Sequence, residues 1–125
     1  MIFRILRHMS ADTNAFFQSL SNDKRLRCIM LLQVHGELCV CELTHALNIA
    51  QPVISRHLAL LRDAGLVQDR RNGQWIYYRI STELPGWVKQ VLQTTAKANV
   101  ELSPFADDRL ALIDMPNRPG AACCA

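Results

Sequence analysis

The dipeptide Asn72-Gly73 lies between two short segments, Leu66-Val67-Gln68-Asp69-Arg70-Arg71 and Gln74-Trp75-Ile76-Tyr77-Tyr78-Arg79-Ile80. Asn-Gly favours the type I′ turn of a tight hairpin, so two antiparallel strands are predicted around it. No other stretch constrains the backbone so closely. Upstream, the pattern is helical. Asp12–Leu20 carries Ala15, Phe16 and Leu20 at helical spacing. Ser21 or Asn22 can cap a second helix that runs to about His35, buries Leu26, Ile29, Met30 and Val34, and ends at Gly36. A third, short helix covers about Val40–Leu47, with Asn48 as a turn residue. Gln51-Pro52 opens a fourth, where a missing N–H costs nothing, and Ala64-Gly65 closes it. After the hairpin, Trp87, Val88, Val91 and Leu92 predict a last helix from Pro85 to about Ala98.

Two short helices joined by a tight turn and followed by a hairpin describe a winged helix-turn-helix, mainly α with a small β-hairpin. The 125 residues suffice for one domain. The predicted organisation is an N-terminal extension at 1–10, a DNA-binding and dimerisation domain at 11–102, and a mobile tail at 103–125 broken by prolines. Within the tail only Asp107–Ile113 suggests a weak helix.

Charge is unevenly placed. The whole chain nets +3. Residues 51–80 hold five arginines against two aspartates, while 99–125 hold four acidic residues against two arginines. A basic face around the fourth helix and hairpin suits a polyanion. Turning the fourth helix at 100° per residue puts Ile54, Leu58 and Leu61 on its core side. Gln51, Ser55 and Arg56 fall on the outward side, with His57 on a flank. Serine, glutamine and histidine can meet base edges, and Arg56 a phosphate or guanine. Arg70 and Arg71 sit beside the turn tip, within reach of a neighbouring backbone or minor groove. No apolar run approaches the roughly 20 residues of a membrane span, and the arginine-broken start is unlike a signal peptide. A cytoplasmic protein that binds no membrane is expected.

Five cysteines, an odd number, argue against a disulfide framework. Cys28 sits in an apolar stretch and reads as core. Cys39 and Cys41, and the adjacent Cys123 and Cys124, read as thiol sites. Side chains two apart in a helix point about 200° from each other, whereas in extended chain they share a side. Cys39 and Cys41 can therefore clasp one soft atom only if the start of the third helix unwinds or stays unwound. Thiolates suit thiophilic centres.

The strings Gly36-Glu37-Leu38-Cys39-Val40-Cys41-Glu42-Leu43 and Gln51-Pro52-Val53-Ile54-Ser55-Arg56-His57-Leu58-Ala59-Leu60-Leu61-Arg62 closely resemble the ArsR family of arsenic-responsive winged-helix repressors. The likeness continues through Arg71-Asn72-Gly73-Gln74-Trp75 to about residue 98. It implies a homodimer paired through the first and last helices and seated on inverted-repeat operator DNA. It also implies release when trivalent arsenic or antimony binds thiolates at the start of the third helix. Thr44 stands where such members often carry a third cysteine, three residues after the second. Cys123 or Cys124 could supply that ligand or bind separately; with two thiolates alone, trivalent organoarsenicals become natural inducers.

Two other effectors fit the same cysteines. Zinc could take Cys39, Cys41 and His45 or His35, and an oxidant could close Cys39–Cys41 or Cys123–Cys124 reversibly. A DNA-binding module with no effector is a further reading. A thiol enzyme is not expected, because no Cys-x-x-Cys opens a helix and no acid–base pair is clustered.

Overall fold

The computed structural model describes residues 13–118. The elements run α1 (Thr13–Leu20), α2 (Asp23–His35), β1 (Leu38–Cys39), α3 (Val40–Leu47), α4 (Gln51–Asp63), β2 (Val67–Asn72), β3 (Trp75–Ile80), α5 (Gly86–Asn99) and α6 (Phe105–Ile113). Mainly helical with one small antiparallel sheet, this is the winged helix-turn-helix predicted.

Each helix starts where its chemistry allows. The Asn22 side chain caps α2, accepting from the Lys24 and Arg25 N–H groups at 2.9 and 3.1 Å. Gly36 ends that helix at φ +90°, a conformation costly for any residue with a Cβ. Proline enters α4 in its first turn. Phe16, Ile29, Leu32, Leu38, Leu43, Ile54, Leu58, Leu61, Leu66, Leu92 and Leu112 are fully buried and form one core. α2 is its axis, burying Cys28 to Leu32 without a break because other elements pack around it. Val34, expected in its stripe, is exposed.

The sheet order is β1-β3-β2. β1 brings Leu38 opposite Tyr78 and Cys39 opposite Tyr77, so the wing's second strand is bonded to the residue that precedes α3. The hairpin departs from expectation by one residue. Asn72 pairs with Trp75, leaving Gly73-Gln74 as the turn. Gly73 alone has positive φ there, at +64°. A glycine in the first central position is the requirement of the II′ class rather than I′.

A second departure is larger. The chain expected to be mobile from residue 103 is helical from Phe105 to Ile113 and packs on α2 and α3. Leu112 is fully buried and Phe105 partly so. Buried Asp108 accepts from Arg27 Nε and Nη2 at 2.9 and 2.7 Å, and the same Nη2 reaches the Leu47 carbonyl at 3.2 Å. The weak helix suggested at Asp107–Ile113 therefore exists, and the folded unit extends past residue 102.

Candidate functional site

Cys39 occupies the junction of β1 and α3, fully buried, with extended backbone (φ −84°, ψ 165°). Cys41 is the second residue of α3. Because Cys39 lies outside the regular helix, its side chain turns to the same side as that of Cys41. The two sulfurs stand 2.7 Å apart, unbonded. No helix has to unwind to unite them; the strand already supplies the bend.

A carboxylate fixes the junction. The Cys39 N–H donates to Glu42 Oε1 at 2.8 Å, one half of a capping box. Glu42 is buried, and its other oxygen accepts from Arg118 Nε. The signature stands in the sequence as Cys39-x-x-Glu42, but cysteine is not among the usual capping residues, so the sequence alone does not single out Glu42. Burial, and then the contact with Cys41, push the Cys39 thiol well above the ordinary range. Cys28 is core, as expected, with burial pushing its thiol up to about 12. Cys123 and Cys124 lie outside the described residues.

Cys41 opens onto a cleft of about 620 Å³ shared with Thr44, His45, Asn48, Ile49 and Gln51. Among the described residues, no three His, Cys, Asp or Glu side chains are grouped so as to hold a metal ion. The zinc set of Cys39 and Cys41 with His45 or His35 is therefore not assembled.

On α4, Ile54, Leu58 and Leu61 face the core and Gln51 and Arg56 are exposed, with Ser55 half-buried. His57 differs from its predicted use. It is buried against α2, with Nδ1 3.4 Å from Arg25 Nη1. On the wing, Arg71 is exposed. Arg70 is held by Glu37 through two bonds of 2.8 and 2.7 Å and lies 4.7 Å over the Tyr77 ring. Arg62 bonds Asp69 at 3.2 Å, linking α4 to the wing.

A helix pair with one exposed polar face, backed by a basic hairpin, defines a winged-helix DNA-binding regulator rather than an enzyme. The family model "Bacterial regulatory protein, arsR family" matches residues 22–69. The chain is 52% identical over 110 residues to the arsenic resistance transcriptional regulator ArsR2 of Pseudomonas putida, covering 86% of this chain and 94% of that one. It is 45% identical to the arsenical resistance operon repressor of Escherichia coli, over 68% of this chain and 73% of that one. Among solved structures, the AntR antimony-specific transcriptional repressor superposes with a TM-score of 0.61 at 29% identity, covering 74% of this chain and 80% of that one. The chain belongs to the arsR family of bacterial transcriptional regulators and is an ArsR-type repressor. No helix among the described residues is long and apolar enough to cross a membrane.

Proposed function

We propose that this protein is a cytoplasmic homodimeric repressor that sits on an inverted-repeat operator and leaves it when trivalent arsenic or antimony, inorganic or organic, binds Cys39 and Cys41. The observation that carries this reading is the 2.7 Å sulfur pair at the β1–α3 junction. That junction is bonded to β3 of the wing, and α3 leads to α4 through only Asn48, Ile49 and Ala50. A metalloid held by both sulfurs ties β1 to the start of α3, and any shift of that junction reaches both DNA-reading elements. A hundredfold loss of operator affinity needs about 2.7 kcal/mol of coupling, an ordinary value. In this reading Gln51, Ser55 and Arg56 face the major groove and Arg71 follows the backbone. Arg70 reaches DNA only by leaving Glu37, and His57 acts from behind α4. Cys123 and Cys124, adjacent in sequence, form a second dithiol that takes up the same thiophilic centres separately.

Trivalent arsenic can be held by two thiols, whereas zinc needs further protein ligands, and none is grouped with the pair among the described residues. Arsenous acid is neutral and condenses with thiols by losing water, with no net proton release.

Operator DNA titrated with arsenite tests the proposal. Cys39→Ser and Cys41→Ser should each bind DNA as tightly as the parent and resist release. Cys123→Ser/Cys124→Ser should lower the arsenic bound per chain from two equivalents to one and leave release unchanged. Normal release in both single mutants would remove the Cys39–Cys41 pair from the mechanism.

A further inference from the structure

We infer that Thr44 completes the metalloid site: its hydroxyl holds the single oxygen left on a trivalent arsenic bound by Cys39 and Cys41, giving two sulfurs and one oxygen. This rests on the proposal that those two cysteines are the effector site. Thr44 follows Cys41 by three residues on the same helix, so the two share a face. Both line the same open cleft. The Thr44 Oγ1 atom is buried without a hydrogen-bond partner. A threonine inside a helix ordinarily returns its hydroxyl to the carbonyl four residues back, here that of Val40, and no such bond is made. A buried hydroxyl left unpaired beside a thiol calls for an explanation, and a ligand oxygen provides one.

The chemistry balances without an oxidant or a base. Arsenous acid, As(OH)₃, meets the Cys41 thiol in the cleft; an As–S bond forms, an As–O bond breaks, and the thiol proton leaves with the hydroxide as water. Cys39 repeats the step, displacing a second water. The product is a bis-thiolate arsenic hydroxide, with arsenic trivalent throughout. Its remaining O–H is both donor and acceptor, as is the Thr44 hydroxyl, so the two can satisfy one another in either sense. Among the described residues, neither a third sulfur nor an imidazole is grouped with the pair to displace that oxygen. The cleft also carries no arginine, lysine, aspartate or glutamate. It suits an uncharged oxyacid and offers nothing to neutralise arsenate or phosphate.

An organic substituent changes the prediction. Phenylarsenous acid (phenylarsine oxide in water) loses both hydroxyls to the two thiols and keeps no oxygen for Thr44. The test therefore compares arsenite with phenylarsine oxide in the full-length chain carrying Cys123→Ser/Cys124→Ser, the parent for this comparison, so that a single arsenic site remains; sulfur-to-arsenic near-ultraviolet absorption reads affinity and X-ray absorption the ligand count. With arsenite the parent should show two As–S and one As–O contact. Thr44→Val, nearly the same shape, should bind arsenite about tenfold more weakly and phenylarsine oxide as the parent does. Thr44→Ser, which keeps the hydroxyl, should retain arsenite affinity, and Thr44→Cys should show three As–S contacts and bind arsenite more tightly. The inference is overturned if the parent shows three sulfurs, if Thr44→Val binds arsenite normally, or if Thr44→Val weakens both arsenicals equally. If Cys39→Ser/Cys41→Ser binds both arsenicals like the parent, the underlying site assignment fails instead, whatever Thr44 does.

Discussion

His57 packs its imidazole behind α4, where burial, and then the charges of Arg25, Arg56 and Lys24, lower its pKa below 6.5. His35 is shifted the same way by burial and by Arg118 and Arg109. Both rings take a proton less readily in the folded protein than in the unfolded chain, where they do so near pH 6.5. Unfolding therefore binds protons, and stability present above about pH 6.5 is lost as pH falls below it. Denaturant midpoints measured at pH 7.5 and 5.5 should show the lower value at 5.5. His57→Gln should flatten that dependence without abolishing it, because His35 still contributes; an unchanged slope would mean that His57 protonates freely in the fold. Helical spacing puts His57 on the flank of α4, and α2 covers that flank, a tertiary contact that spacing within one helix does not encode.

α6 shows what joins an element to a core when its own pattern is weak. Its seat depends on Leu112, Phe105 and the Asp108–Arg27 pair, whose aspartate side chain is 4% exposed. Removing one partner leaves a poorly solvated guanidinium, at a cost of about 3 kcal/mol. Asp108→Ala should lose about that much in chemical denaturation, while Arg27→Met/Asp108→Leu should recover most of it by replacing the pair with apolar contact. Equal losses in both would place the stabilisation elsewhere. Arg27 and Asp108 are 81 positions apart, and no local rule joins them; α6 was faint in the sequence for that reason. The helices of the DNA-reading motif were legible because caps, Pro52 and apolar spacing are local signals. The wing was legible to within one residue of register, since Asn-Gly and Gly-Gln both supply a left-handed glycine. The thiol pair was legible as a motif, and so was the condition that its first cysteine stay outside the helix; what holds it there was not, because Leu38 and Cys39 pair with a strand nearly 40 residues away.

At the scale of the whole molecule, α1 and α5 share an aromatic group that is open to solvent. The Phe16 ring meets those of Phe17 and Trp87 edge-on, at 4.8 and 5.4 Å. Phe17 and Trp87 are 48% and 40% exposed. Exposed aromatics on the two helices proposed to pair are the natural centre of a self-complementary interface. Phe17→Glu/Trp87→Glu should sediment as a monomer with a native helical spectrum and bind the operator at least tenfold more weakly; a dimer of unchanged affinity would move the interface elsewhere.

The bond from Glu37 to Arg70 bears on how any such dimer would respond to its surroundings. A guanidinium already matched by a carboxylate attracts few ions of its own, so on meeting DNA it displaces little from the condensed cation layer. Each wing left in this state removes one phosphate neutralisation, about 0.9 in the logarithmic salt slope, from the account. Two such wings make the complex less sensitive to ionic strength than its arginine content suggests, which would help a regulator keep its grip when the salt concentration rises.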